Sequence, residues 1–161
     1  MMKQFLTACL LLLAGLFSAA NASALDGAFA GIGAEANGYS REGTAAGAML
    51  SLGADLNQRF AAGVRATFSH NFDTIAAVEP LAFFRYRLPF LAGPFVQAEA
   101  GASVFLEDGD AYTAFSGGIC AGWRLAIGSN FYIEPSVRGG FPFAWGAGLT
   151  AGYKLQMRSE K

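Results

Sequence analysis

Residues 94–104, PFVQAEAGASV, alternate with a period of two. Phe95, Gln97, Glu99, Gly101 and Ser103 fall on one side, and Val96, Ala98, Ala100, Ala102 and Val104 on the other. Successive side chains of a strand point to opposite faces, whereas a helix repeats every ~3.6 residues, so this stretch reads as β-strand. One face is apolar throughout. The other is small and polar, with a carboxylate at its centre. An unbroken apolar face must meet either a packed core or lipid, and the remainder of the chain decides which.

Hydrophobic residues make up 53% of the 161 positions and charged residues only 14%, an apolar balance for a small soluble domain. Beyond the N-terminal region, no run approaches the roughly 18 apolar residues that a membrane-spanning helix requires. An apolar chain without such a helix can still cross a bilayer as a closed sheet, in which every backbone polar group is paired. The formal net charge is −1, with no basic stripe, which excludes nucleic acid as a partner.

The N-terminus reads as a targeting segment. Met1, Met2 and Lys3 form a short basic region, residues 5–17 (FLTACLLLLAGLF) an apolar one, and Ala22-Ser23-Ala24 a small-x-small cleavage site. The predicted organisation is a signal peptide over 1–24, a barrel over 25–155 and a polar tail over 156–161. Leu6-Thr7-Ala8-Cys9 looks like a lipidation box, but it precedes most of the apolar region instead of following it. Cleavage removes Cys9 and leaves Cys120 alone, so no intramolecular disulfide is expected.

The alternating unit recurs in eight segments, 28–36, 45–55, 59–70, 76–88, 94–104, 112–125, 131–139 and 143–155, separated by Gly, Asn, Asp or Pro clusters. Pro80 is a local defect, because proline removes a ladder donor. The mixed face is rich in Gly, Ser and Thr, with one or two charges per segment. Glycine makes a poor solvated strand face but suits a crowded interior, and an eight-stranded barrel has an interior just wide enough for side chains to fill. The apolar face carries aromatics at segment ends: Phe60, Tyr86, Trp123, Phe131 and Tyr153 at one end, Phe68, Phe115, Phe141 and Trp145 at the other. Two aromatic girdles flanking an aliphatic band mark a surface that faces lipid.

Signal peptide, eight alternating segments, girdles and a charged inner face together resemble the small outer-membrane barrels of the OmpA/OmpX type. The resemblance implies an all-β, closed, antiparallel up-and-down barrel in the outer membrane of a double-membrane bacterium, with both termini in the periplasm. It implies outer-membrane lipids as surroundings, periplasmic chaperones and the barrel-assembly machinery as partners during biogenesis, and a monomer. The chain departs from that pattern in carrying six residues after Leu155 and in having only short loops.

Six inward charges form the candidate site: Arg65, Glu79, Arg85, Glu99, Glu134 and Arg138. A tight hairpin near Phe72 would set Arg65 against Glu79, the next hairpin brings Arg85 and Glu99 together, and Glu134 and Arg138 lie two inward positions apart. Buried charges must be paired, so this network is expected either to plug the lumen or to act as a gate. Phe60, Phe68, Tyr86, Phe115, Trp123, Phe131, Trp145 and Tyr153 are the expected membrane-interface residues.

Other constellations point nowhere. Residues 31–36 (GIGAEA) match a dinucleotide fingerprint, but that motif needs a helix after the glycines and here the period of two continues. His70 is the only histidine, and its same-face neighbours are Phe68 and Phe72, which provides no nucleophile for lipid hydrolysis. Glu107, Asp108 and Asp110 make an acidic turn, read as solvated and less readily as a cation site, and Cys120 reads as packing. Neither cofactor nor metal is expected. The leading expectation is a non-enzymatic envelope protein with a plugged, charged lumen. A narrow porin-like channel is the alternative, and surface ligand binding or adhesion is disfavoured by the short loops.

Overall fold

A computed structural model describes residues 27–39, 43–71, 75–89, 92–107 and 110–155. The signal segment, the polar tail and Asp108 lie outside the described residues. The strands are β1 (Gly27–Tyr39), β2 (Gly43–Asp55), β3 (Phe60–His70), β4 (Ile75–Arg87), β5 (Pro94–Glu107), β6 (Asp110–Trp123), β7 (Leu125–Ile127), β8 (Phe131–Phe141) and β9 (Phe143–Leu155). From β1 to β6 each strand pairs antiparallel with the next, as do β7 with β8 and β8 with β9. The sheet closes because β1 also pairs with β9, from Ala28 opposite Leu155 to Tyr39 opposite Phe143.

The nine strands occupy eight positions in the wall. β6 and β7 both pair with β8, Gly122 opposite Ser136 and Leu125 opposite Ile133, in one continuous register. The segment predicted over 112–125 as a single strand is therefore interrupted. At the interruption Trp123 and Arg124 face Pro135 and Glu134, and Pro135 has no amide hydrogen to give to the ladder. Pro80 leaves a matching gap: the β4–β5 register passes from Val78 opposite Val104 to Leu81 opposite Gly101, skipping the proline and its predecessor.

Several strands run further than the alternation suggested. Asn37 and Gly38, expected in a turn, continue β1, laddered to both β2 and β9, and the Asn37 side chain accepts from Arg138 in the interior instead of closing a turn. Gly140 and Phe141, expected as a link, complete β8. The short turn after β2 behaves as predicted: Asn57 Oδ1 accepts from the amides of Arg59 and Phe60 at 2.8 and 2.9 Å, an Asx turn.

The barrel is inside-out. Ile32, Phe115 and Val137 are 67%, 67% and 61% exposed on the outer wall, while Glu35, Arg65, Glu79, Arg85, Glu99, Glu134 and Arg138 are all buried within. No soluble barrel distributes its apolar and charged residues in this way. Of the aromatics singled out above, Phe68, Phe115, Trp123, Phe131, Trp145 and Tyr153 are exposed on the outside. Phe60 and Tyr86 are half-buried at the end where β2 turns into β3, their rings 5.3 Å apart. At the same end Phe131 meets Tyr153 edge-on at 5.1 Å, and the Trp123 indole donates to Ala92 O at 2.9 Å.

Candidate functional site

Inward-facing side chains converge in three tiers along the barrel axis. Nearest the β2–β3 turn, Asp55, Arg87 and Lys154 come from the ends of β2, β4 and β9. Asp55 is buried, pairs with Arg87, and receives Lys154 Nζ at 2.8 Å. In the middle tier, Arg85 grips Glu134 with two nitrogens, at 2.7 and 3.3 Å, and Arg124 pairs with the same carboxylate. Arg124 stands opposite Glu134 across the proline gap, so a side-chain ion pair bridges the wall where the backbone ladder is missing.

The third tier holds Glu35, Arg65, Glu79, Glu99 and Arg138. Arg65 donates to Glu35 at 2.5 Å and to Glu99 at 3.1 Å. Arg138 reaches Glu35 at 2.5 Å, Glu79 at 2.8 Å and Asn37 Oδ1 at 3.1 Å, and its guanidinium lies 3.4 Å over the Phe143 ring. Glu79 Oε1 also accepts from Ser103 at 2.7 Å and from Ser116 at 3.2 Å. Ser103 is the residue opposite Glu79 across the Pro80 gap, so here too the interior bridges a break in the ladder. Gln97 links the tiers: it accepts from Arg85 Nε at 2.8 Å and donates to Glu99 at 2.6 Å.

All six candidate charges lie in the interior, but the partners differ from those expected. The register places Thr67, not Arg65, opposite Glu79, and Glu79 pairs with Arg138 from β8. Arg85 pairs with Glu134 from β8, not with Glu99. Glu134 and Arg138, although on one strand, belong to different tiers. The cause is reach: an arginine in a narrow barrel spans the lumen, so partners come from across the interior as readily as from the adjacent strand.

Seven further residues complete the site: Glu35, Asn37, Asp55, Arg87, Gln97, Arg124 and Lys154. Six of them occupy inward positions of the two-residue period and were accessible from it. Asn37 was not, since it lay beyond the predicted end of its segment. Phe143 was hidden for another reason. Strict alternation from Trp145 would send it outward, but the β1–β9 register shifts at Gly38 and Tyr39, and this irregularity turns the ring inward, where it is fully buried.

The third tier sets three carboxylates against two guanidiniums, and the middle tier one carboxylate against two. Together they balance at four of each, with Gln97 joining the halves. Residues 31–36 lie within β1, with no helix after the glycines. Among the described residues no three His, Cys, Asp or Glu side chains are grouped to hold a metal ion, and Cys120 is a buried free thiol.

Fold and site together define a class: a closed, eight-position, antiparallel meander barrel with an apolar outer wall and an ion-paired interior. Among solved structures it is similar to Neisserial surface protein A, with a TM-score of 0.60 at 16% identity over 82% of this chain and 97% of that one. It is also similar to the N-terminal β-barrel domain of Pseudomonas aeruginosa OprF, with a TM-score of 0.54 at 18% identity over 79% of this chain and 97% of that one. At these identities the likeness is one of fold. No protein-family model matches the sequence, and no curated protein matches it.

Proposed function

We propose that this protein is an integral outer-membrane barrel, non-enzymatic, whose ion-paired lumen is closed and whose role is structural within the envelope. The observation that carries this reading is the inversion of polarity, with aliphatic and aromatic side chains exposed around the whole wall and a charge-balanced network buried inside. A wall of that kind is stable in lipid, and a closed sheet pairs its backbone groups within the wall apart from the breaks at Pro80 and Pro135. Outer-membrane lipids are then its lasting partners, with periplasmic escorts and the barrel-assembly machinery acting during biogenesis. The signal peptide over residues 1–24 supplies export across the inner membrane. The second reading, a narrow channel for ions, draws on the unbroken polar thread from Arg124 through Glu134, Arg85, Gln97 and Glu99 to Arg65.

Planar-bilayer recording separates the two, once a heat-dependent gel shift has shown that the refolded protein is a barrel. The closed reading expects a silent bilayer. Discrete, reproducible openings of the unmodified protein would overturn it in favour of the channel.

A further inference from the structure

We propose that the permeability seal of this barrel is an aromatic collar, Phe29, Phe83, Phe95 and Tyr132, and not the carboxylate and guanidinium cluster beyond it; the proposal rests on the closed-lumen reading. The four rings come from four strands, β1, β4, β5 and β8, and all are buried. Phe29 lies 6.3 Å from Phe83 and 6.4 Å from Tyr132, centroid to centroid. Each ring is seated on a glycine of the wall: Phe29 on Gly53, Phe83 on Gly63, Phe95 on Gly122 and Tyr132 on Gly152. A Cβ at any of the four would collide with the ring. The notches give the rings room against the wall.

The guanidiniums of the middle tier are enclosed in this collar. Arg85 sits 3.8 Å over Phe95, and Arg124 lies 4.2 Å from Tyr132 and 4.3 Å from Phe29. The two terminal nitrogens of Arg124 are buried without an acceptor, and ring faces stand in for one. The third tier has a single ring, Phe143, over Arg138. Asn37 Nδ2 is buried with no hydrogen-bond partner, and Glu99 Oε2 has only Arg138 Nη1, at 3.9 Å. Buried polar atoms of that sort are ordinarily satisfied by internal water, so a tier lined by carboxylates and amides makes a poorer dry barrier than one lined by four rings. Hydrophobic constrictions close pores by excluding water, and with four rings the collar is the tier best built to do so. It surrounds two guanidiniums and one carboxylate, with Arg87 and Lys154 against Asp55 below it. A lumen opened at the collar is therefore positive and favours anions.

The test compares Phe83→Ala/Tyr132→Ala with Glu79→Gln in planar bilayers, each confirmed folded by its gel shift. Against a silent unmodified protein, the aromatic variant should pass current on the order of tenfold above background, with a reversal potential in a KCl gradient on the chloride side, while Glu79→Gln stays silent. If the double variant fails to fold, Phe83→Ala and Tyr132→Ala singly carry the same expectation. A folded aromatic variant that is silent, or conduction by Glu79→Gln alone, would overturn the collar as the seal. Cation preference in the opened barrel would overturn the electrostatic half. Conduction by the unmodified protein would instead overturn the closed-lumen reading itself.

Discussion

Replacing Arg138 with methionine should destabilise the barrel far more than replacing Glu79 with glutamine, although the two residues share one ion pair of 2.8 Å. Methionine keeps most of the length of Arg138 and its contact with Phe143 but removes the charge. Glu35, Glu79 and Glu99 are then left with Arg65 as their only guanidinium, and a surplus of one negative charge becomes two. Removing one partner of a buried pair costs about 3–5 kcal/mol, and three buried carboxylates sharing a single cation place Arg138→Met at the upper end of that range. Glu79→Gln moves the balance the other way. Two carboxylates then face two guanidiniums, and the amide oxygen still accepts from Arg138 or Ser103, so the cost is a weakened hydrogen bond of about 1–2 kcal/mol. The measurement is urea unfolding in phospholipid vesicles, followed by the fluorescence of Trp123 and Trp145 and by the folded gel band. A Glu79→Gln barrel as unstable as Arg138→Met would refute the charge count within the tier.

Other perturbations probe the wall. Gly152→Val should cost about 1–3 kcal/mol because the Tyr132 ring already fills that space, whereas Gly139→Val should be nearly neutral, its added Cβ meeting only Ala144 O at 3.5 Å. Urea titration of the two variants checks the difference. On the lipid-facing side, Leu149→Arg should destabilise by about 2–4 kcal/mol in vesicles and Leu155→Arg, at the end of β9, by no more than about 1 kcal/mol, since the penalty falls away from the membrane midplane. Amide exchange in detergent should be faster at residues 110–116 of β6, which pair with β5 alone, than at 117–122, which pair with β8 as well. Uniform protection along β6 would contradict that difference.

Much of this architecture was legible in the sequence, and the parts that were not share a cause. The period of two separates inner from outer residues without knowledge of any partner, so the aliphatic wall and the inward placement of Arg65, Glu79, Arg85, Glu99, Glu134 and Arg138 follow from local pattern. Height along the axis does not. It depends on the register of every strand pair, which loops and lumen packing set jointly, so the alternation alone sets Arg65 against Glu79, whereas its partners are Glu35 and Glu99. Asn37 shows a second limit: asparagine favours turns, and its pairing with Ala45 and Gly146 and its contact with a distant arginine leave no mark on the local sequence. Phe143 shows a third, because a register irregularity reverses the face and leaves no mark on the alternation.

Closure of the wall between β1 and β9 has a consequence for how the molecule is made. Ala28 must find Leu155, and Glu35 must find Arg138, so the pairings that complete the barrel join opposite ends of the chain. Contacts of such long range make folding slow, and until they form both edge strands present unpaired backbone. In the same interval Glu35 lacks Arg138, whereas Arg65 and Glu99, on β3 and β5, can already meet. Joining the last edge to the first completes the Glu35–Arg138 pair, so part of the lumen's charge matching waits on the shutting of the cylinder.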